Sequence, residues 1–329
     1  MKPFHSALGP MMTRYVTLKQ ALGRGFARPC AVLQALDQYL MDAGMTDLTA
    51  DTFAGWSTTL SRLMPGVRRR YFEIIRNLCL YRRRSDPGCF VPDQALFPAR
   101  HRPVHPHIFT DADIIRLLAA AKTLERTDGS PLRPEVFRLA LVLLYTTGIR
   151  RGELLRFVVG DYDRRDATLL VRESKFHKSR YVPLSPDGVQ DIEHYLRVRR
   201  ARRQPVAPDT PLLWNRYAGG RTYTGTGLRD GLCTLFRMAH IQKSDGKLPR
   251  VHDFRHGFAI RALLRWYEAG EDLLAKLPLL ATYMGHVSIV STAYYLRFVE
   301  PLAAAASTRF AQRCGDLVTA SSTPAGGAS

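Results

Sequence analysis

The sequence predicts a mainly α-helical protein with one small antiparallel β-hairpin, organised as two domains. Apolar residues recur at helical spacing through most of the chain, and two short strand-like runs lie together near its middle. A proline-rich stretch separates the helices before it from those after it. The length of 329 residues suits two domains better than one, and the hydrophobic share of 46% is enough to bury a core.

The first domain is predicted to span residues 1–95 and to consist of short helices. Apolar periodicity predicts helices over 31–43, 49–64 and 66–83. The last of these helices carries an arginine triplet at each end. Such triplets suit phosphate contact, although charged helix ends are also often simply solvated. The six residues predicted to bind nucleic acid are Arg68, Arg69, Arg70, Arg82, Arg83 and Arg84.

The charge of the chain indicates its main partner. Lys and Arg number 48 against 29 Asp and Glu, so the net charge is +19, and the excess is spread over both predicted domains. A protein that surrounds a polyanion would show this pattern. Arginine-rich codon usage is the alternative, and it explains the preference for Arg over Lys but not the shortage of acids. We therefore expect nucleic acid as the main partner.

Several classes of protein are excluded. No apolar run approaches the roughly 18–20 residues that span a bilayer, and the N-terminus lacks a secretory signal pattern. The five cysteines are scattered without C-x-x-C spacing, which fits a reducing cytosol. We expect a cytoplasmic protein. His101, His105 and His107 lack a matching ligand pair, so we predict no metal site.

The proline-rich stretch is predicted to be a linker over residues 96–109, because prolines at this density exclude helix interiors. A capping box at Thr110–Asp113 opens the next helix and the second domain, predicted over 110–312. The remaining tail, 313–329, is rich in small residues and is predicted to be disordered.

The second domain alternates between helices and one hairpin. A nearly continuous apolar run predicts a buried helix that ends at Gly148. Two strand-like runs joined by four to five residues predict the hairpin. The predicted helices are 136–145, 152–157, 188–203 and 253–269, and the predicted strands are 168–172 and 179–184.

One of three His-x-x-Arg pairs stands at the start of a predicted helix. His252 and Arg255 would lie one turn apart at its N-terminal end, which attracts phosphate. The spacing proves nothing alone, since about one such pair is expected by chance, and a capped helix with exposed charge is the alternative.

Other residues that could bind or react with a phosphate group follow in the chain. Arg150 follows directly after a buried helix and is well anchored for bidentate phosphate recognition. Lys175 lies at the predicted hairpin tip. Gly285-His286 is followed nine residues later by Tyr295.

The ordered set Arg150, Lys175, His252-x-x-Arg255, Gly285-His286 and Tyr295 resembles the tyrosine recombinase (phage integrase) family. The resemblance covers about residues 110–302. It implies an α+β catalytic domain, preceded by a helical, SAM-like core-binding domain that binds DNA.

The resemblance also implies a reaction. Arg150 and Arg255 would stabilise the negative charge that grows on a DNA phosphate, and His286 would add a hydrogen bond. Tyr295 would attack the phosphorus, forming a 3′-phosphotyrosyl link and freeing a 5′-hydroxyl.

Proton transfers complete the implied reaction. A tyrosine has a pKa of about 10, so His252 would accept its proton. Lys175 would protonate the departing 5′-oxygen, and Glu153 would hold the active-site arginine and histidine side chains in place. No metal, nucleotide or other cofactor is implied, because the phosphotyrosyl link keeps the bond energy.

The implied partner is double-stranded DNA, enclosed by a two-domain clamp and recombined by a tetramer on two sites. The segment 298–310 would dock on a neighbouring protomer, and accessory recombination proteins would assist. Integration, excision or transposition of a mobile element is the implied role. A type IB topoisomerase and a catalytically degenerate DNA-binding accessory protein are the alternatives. An RNA-binding scaffold lacks an aromatic RNA-binding motif.

Some choices stay open at this point. Tyr294, Arg151 and Lys178 are alternatives to Tyr295, Arg150 and Lys175 for the same roles, and only the motif spacing favours the latter three.

Three departures from the family pattern also occur. Ser174 and Phe176 replace the glycines that often flank the lysine, the stretch between Arg255 and Gly285 is long, and Leu-Arg-Phe follows the tyrosine without a histidine. The long stretch resembles a subgroup carried by transposable elements.

Overall fold

The computed structural model describes residues 2–23, 25–99, 106–172, 179–286 and 288–298. The chain divides into two units, Met1–Val104 and His105–Ser329. Most of the described residues are helical, and the strands form one small antiparallel sheet. The predicted fold class, mainly α with a small antiparallel β element, is confirmed.

The described part of the first unit contains four helices around one apolar core. Leu33, Leu36, Trp56, Phe72 and Ile75 are among the side chains buried there. The helices are α1 (Gly9–Ala21), α2 (Ala27–Asp42), α3 (Ala50–Thr59) and α4 (Pro65–Arg82), followed by a 3-10 turn at Gln94–Leu96.

The second unit is built around α6, whose side chains are buried on almost every side. It packs against α5, α8 and α11. The predicted capping box at Thr110 and Asp113 is confirmed at the start of α5. The helices are α5 (Asp111–Lys122), α6 (Arg133–Thr147), α7 (Arg151–Leu154), α8 (Pro186–Ala201), α9 (Tyr217–Gly220), α10 (Gly225–Met238), α11 (Val251–Glu268), α12 (Leu273–Met284) and α13 (Val290–Ala293).

The sheet has three strands in the order β1 (Tyr162–Asp163), β2 (Thr168–Val171) and β3 (Arg180–Pro183). The predicted hairpin corresponds to β2 and β3, which pair antiparallel, and β1 is an additional strand. Leu169 lies opposite Val182, and both are buried, so one face of the sheet packs on the core.

A second, smaller apolar cluster holds together the last described elements of the second unit. Ile260 and Leu263 of α11 pack with Leu277 and Met284 of α12 and with Tyr295, which lies on a 3-10 turn at Tyr294–Phe298. This cluster fixes the turn that carries the tyrosine against the helix that carries the His-x-x-Arg pair. Among the described residues, no helix is both long and apolar enough to cross a membrane.

The boundary between the two units, at Val104 and His105, lies within the predicted linker. Phe97 is buried in the core of the first unit, and Phe109 is buried in the core of the second. The stretch between these two side chains is therefore at most eleven residues long, most of it in the part of the chain that the structure does not describe.

Candidate active site

The predicted site residues that the structure describes gather in one place. A cleft of about 490 Å³ is lined by Arg150, His252, Arg255, His256, His286, Val290, Ser291, Tyr294 and Tyr295. These residues come from the N-terminal ends of α7 and α11, from the residues after α12, and from α13 and the turn after it. Lys175, the remaining predicted catalytic residue, lies outside the described residues.

Arg255 is the buried centre of this cleft, with only 2% of its surface exposed. Its Nη1 atom donates to the Gly148 carbonyl at 2.8 Å, and its Nη2 atom donates to the Met284 carbonyl at 2.5 Å. Burial and the charge of Arg150 lower the pKa of Arg255 to about 10, which leaves the guanidinium charged at neutral pH. Carbonyl groups orient this cation without neutralising it, so it remains ready to bind an anion.

Arg150 lies at the N-terminal end of α7 and is held by two groups. Its Nη1 atom donates to Glu153 Oε1 at 2.7 Å, and its Nη2 atom donates to the Gly285 carbonyl at 2.8 Å. The Glu153 carboxylate also accepts from the backbone amide of Arg150 at 3.0 Å. These contacts fit the predicted role of Glu153 in holding the arginine.

Arg180 completes this group, and the sequence analysis missed it. It is the first residue of β3, and its Nη1 and Nη2 atoms donate to Glu153 Oε1 and Oε2 at 3.2 and 2.9 Å. Burial alone would raise the pKa of Glu153, but hydrogen bonds from Arg180 and from the Arg150 amide lower it to about 2. Arg180 belongs to one of the three His-x-x-Arg pairs, which was the only signal for it in the sequence.

His286 connects Arg255 to α13. Its Nε2 atom lies 3.0 Å from Arg255 Nη2, and its Nδ1 atom lies 2.8 Å from Thr292 Oγ1. Because Arg255 can only donate, we assign the ring proton to Nδ1, which donates to Thr292. Burial and the charges of Arg255 and Arg150 lower the pKa of His286 to about 4, so the ring is neutral at pH 7.

Tyr295 is buried, with 3% of its surface exposed, and its ring stacks on His286 with 6.1 Å between centroids. Burial raises the pKa of its hydroxyl, while the charge of Arg255 and a hydrogen bond with it act in the opposite direction. Tyr294 also lines the cleft and is partly buried. A resting hydroxyl in these surroundings is protonated, and a nucleophilic role needs a proton acceptor.

Two histidines of α11 lie beside the tyrosines. The rings of His252 and His256 are 4.6 Å apart, and the His256 ring meets the Tyr295 ring edge-on at 5.4 Å. The packing around His252 and the charges of Arg255 and Arg250 lower its pKa, even though part of its ring faces solvent. His256 was not predicted, although its position four residues after His252 on one helix face was a signal.

A basic cleft of about 590 Å³ adjoins the first cleft and shares Arg150 and His252 with it. Arg151 of α7, Arg229 of α10 and Arg250 line the rest of it, and no acidic side chain is among its described lining residues. The rival Arg151 therefore belongs to the neighbouring cleft, while Arg150 belongs to both.

The six arginines predicted to bind nucleic acid fall into two groups. Arg82 pairs with Asp47 and Asp86, and Arg69 pairs with Glu73 and donates to the Pro98 carbonyl. Arg68 lies over the Phe72 ring. The exposed members are Arg70, Arg83 and Arg84. Arg70 lies on α4, and Arg84 lies two residues beyond its end.

Within the described residues, no group of three or more His, Cys, Asp or Glu side chains is arranged to hold a metal ion. The residues of the cleft around Tyr295 offer arginines that can bind an anion, next to a tyrosine and neutral histidines.

Comparison with known proteins agrees with this arrangement. A family model described as the phage integrase family matches residues 108–300, which is more than half of the chain. The putative integrase/recombinase y4rB of Sinorhizobium fredii (strain NBRC 101917 / NGR234) is 31% identical over 310 residues, covering 92% of this chain and 96% of the relative.

Two solved structures share the fold. The XerH site-specific recombinase, bound to palindromic difH substrate in a post-cleavage complex, has a TM-score of 0.61 and 18% identity, covering 84% of this chain and 77% of its own. The Tn1549 transposon integrase, in complex with transposon right end DNA, has a TM-score of 0.60 and 15% identity, covering 92% and 99%. The matched family model and the full-length relative lead to one conclusion: the chain belongs to the phage integrase family, the tyrosine recombinases.

Proposed function

We propose that the protein is a site-specific recombinase that cleaves and rejoins duplex DNA through a 3′-phosphotyrosyl intermediate. The observation that carries this proposal is the convergence of two arginines and neutral histidines on one buried tyrosine in a single cleft. In this reading, the scissile phosphate enters the cleft between Arg150 and Arg255 and meets the hydroxyl of Tyr295.

The arginines act on the phosphate. Arg255 is fully oriented by backbone carbonyls and Arg150 by Glu153 and the Gly285 carbonyl, so both guanidinium groups are in place before substrate binds. Preorganised donors of this kind stabilise the negative charge that develops on the non-bridging oxygens without reorganisation during the reaction. His286 lies beside Arg255, and it donates a hydrogen bond to the same oxygens once its ring proton is on Nε2, the nitrogen that accepts from Arg255 in the resting site.

Tyr295 performs the attack. Its hydroxyl oxygen forms a bond to phosphorus as the bond from phosphorus to the 5′-oxygen breaks, and the tyrosine proton passes to His252. The position of His252 in the same cleft as Tyr295 supports this role, and its lowered pKa leaves the imidazole neutral, with a free lone pair, at pH 7. Lys175 supplies a proton to the departing 5′-oxygen.

The second half of the reaction reverses the first. The 5′-hydroxyl of another strand attacks the phosphotyrosyl link, Tyr295 leaves, and its hydroxyl regains a proton. One phosphodiester is replaced by another at each step, so neither ATP nor a metal ion is required.

The partner in this proposal is double-stranded DNA. The net charge of +19, the basic cleft beside the active site and the exposed Arg70, Arg83 and Arg84 of the first unit all support binding to phosphates. Residues 1–95 form the DNA-binding core-binding domain, 110–312 the catalytic domain and 313–329 the tail; 96–109 is the linker, with Phe97 and Phe109 packed into the units that it joins. Such an enzyme would act at the nucleoid in the bacterial cytoplasm.

The assembly is a tetramer on two DNA sites, with accessory proteins setting the direction. A mobile-element role is supported by the similarity to a transposon integrase and to an integrase/recombinase relative.

Covalent trapping tests the proposal. A binding site is first recovered by selecting a random-sequence duplex pool on the purified protein, and a series of duplexes nicked at successive positions is then prepared from it. A denaturing gel should show a covalent protein–DNA band that Tyr295→Phe abolishes and Tyr294→Phe retains. A band lost only in Tyr294→Phe would move the nucleophile by one residue.

Two other outcomes would replace the proposal. Tight DNA binding with no covalent band for the unaltered protein would favour a degenerate DNA-binding protein. Relaxation of a supercoiled plasmid that lacks the selected site would favour a type IB topoisomerase.

A further inference from the structure

Three consecutive carbonyl groups at the end of α12 each accept a hydrogen bond from a different arginine. Arg180 Nε donates to Tyr283 at 2.8 Å, Arg255 Nη2 donates to Met284 at 2.5 Å, and Arg150 Nη2 donates to Gly285 at 2.8 Å. These arginines belong to β3, α11 and the start of α7. The end of one helix thus receives three guanidinium groups from three separate elements.

The backbone at this point explains why the carbonyls are available. The amide of His286 donates to the Ala281 carbonyl and the amide of Gly285 donates to Thr282, which is a Schellman motif with Gly285 at a φ of 64°. The following carbonyls have no helical partner, and they lie at the negative end of the helix dipole. The same turn places His286 in the cleft, so one backbone conformation positions three arginines and a histidine.

Three guanidinium groups in close proximity repel one another, and Glu153 offsets this repulsion. Its Oε1 atom accepts from Arg150 and Arg180, and its Oε2 atom accepts from the Arg150 amide and Arg180. The carboxylate is buried, with 2% of its side chain exposed. Without Arg180, the negative charge of Glu153 would act on Arg150 alone. The carboxylate would then compete with a phosphate for the Arg150 guanidinium.

From this arrangement, and on the basis of the proposed function, we infer that Arg180 is a positioning residue for DNA cleavage. It sets the orientation and the available charge of Arg150 through Glu153, and it anchors the sheet to the end of α12. Arg180 is absent from the residues that line the cleft around Tyr295, so its effect passes through Arg150 and not through direct contact with the reacting phosphate.

The chain offers a matched control for this role. Arg172, just after β2, donates through Nε to the buried carboxylate of Asp161; its side chain is more exposed than that of Arg180, and its described hydrogen bond does not involve Arg150 or α12. Arg180→Met and Arg172→Met therefore each remove one arginine from a buried carboxylate next to the same sheet. Arg180→Lys keeps the charge, but its single nitrogen cannot serve both Glu153 oxygens and the Tyr283 carbonyl together.

The experiment measures single-turnover formation of the covalent complex on a nicked duplex carrying the selected site, for full-length proteins. We expect Arg180→Met to slow cleavage by about 10–100-fold, as loss of a partner that orients an active-site group does. Arg180→Lys should lie between this variant and the unaltered protein, and Arg172→Met should change the rate by less than about 3-fold. Melting temperatures of the methionine variants separate lost stability from lost rate.

Coupling to Arg150 provides the decisive readout. In an Arg150→Ala background, Arg180→Met should have no further effect on the rate, because the group that it positions is gone. A neutral methylphosphonate at the scissile position should shrink the difference between Arg180→Met and the unaltered protein, since less charge needs stabilisation.

The inference is overturned if Arg180→Met slows cleavage equally in both backgrounds, or if Arg180→Met and Arg180→Lys match Arg172→Met. Failure of the unaltered protein to form any covalent complex would instead overturn the proposed function itself, and the inference with it.

Discussion

The hydroxyl of Thr292 lies 2.8 Å from the Nδ1 atom of His286, and Thr292 is completely buried. This contact fixes the plane of the imidazole, while Arg255, which can only donate to Nε2, leaves the ring proton on Nδ1. The Nε2 atom is thereby turned towards Arg255.

Thr292→Val, which keeps the shape and removes the hydroxyl, should slow covalent complex formation by about 10-fold or more, because the imidazole loses its orienting partner. Single-turnover cleavage of the nicked duplex measures the effect. Thr282→Val, which removes an exposed hydroxyl bonded to the Pro278 carbonyl on α12, is the control. Equal rates for the two variants would contradict the role given to Thr292.

The stability of the protein should fall on acidification below about pH 6.5. Burial lowers the pKa of His256 to about 4, with a contribution from His252, and burial with Arg255 and Arg150 lowers that of His286 to about 4. Between pH 6.5 and 4 the unfolded chain therefore binds protons that the folded chain does not, and the free energy of unfolding decreases as the pH falls.

His256→Gln is neutral at every pH and should remove about 1–2 kcal/mol of this decrease between pH 7 and pH 5. Urea unfolding at a series of pH values checks it. His194→Gln, which replaces an exposed histidine on α8, is the control for the exchange of a histidine for glutamine. A parallel shift of the whole curve for His256→Gln would contradict the lowered pKa of this group.

Arg70 and Arg84 should contribute to DNA affinity through phosphate contacts. Neutralising both with glutamine should reduce the slope of log K against log salt by about 2, since each phosphate contact contributes about 0.9. Filter binding to the selected duplex at several salt concentrations measures the slope.

Arg82→Gln is the matched control on the same helix, because Arg82 is held by Asp47 and Asp86. We expect this variant to lower the melting temperature and to leave the salt slope unchanged. A slope that falls equally for Arg82→Gln would show that the ion pairs do not withhold this arginine from DNA.

Arg199 is a fully buried cation whose hydrogen bonds go to carbonyl and hydroxyl oxygens. It donates to the Pro211 and Leu212 carbonyls at 2.8 and 3.2 Å, and its guanidinium lies 5.7 Å from the Trp214 ring. Arg199→Met should destabilise the protein by about 1–3 kcal/mol because buried carbonyls lose their donor. Arg200→Met, on the exposed side of the same helix, should change the unfolding free energy by less than about 0.5 kcal/mol. Equal unfolding free energies for the two variants would contradict this.

Elements with strong local signals were predictable from the sequence. The buried apolar run of α6 and the capping box of α5 are both present close to their predicted positions. Helices α10 and α12 were not predicted. Helix α10 contains three glycines, and α12 contains Pro278, so their local propensities oppose the tertiary packing that stabilises them.

The site was predictable only where its residues belong to short motifs. The spacing of His252 and Arg255 at the start of a predicted helix made both residues predictable. Arg180, in contrast, donates to the carbonyl of Tyr283, which is 103 residues away along the chain. The engagement of Arg82 by Asp47 is also a long-range contact, 35 residues apart, so periodicity could not separate it from the exposed arginines. Partners that come together only through folding leave no local pattern.

The turn after α6 has a mechanical consequence. Gly148, with a φ of 60°, offers its carbonyl to Arg255, and Arg150 follows two residues later. Two residues of extended chain reach no more than about 7 Å. The turn that carries Arg150 is thus also a hydrogen-bond acceptor for Arg255 of α11, so a displacement of α11 relative to α6 would break this bond and change the spacing of the two guanidinium groups together.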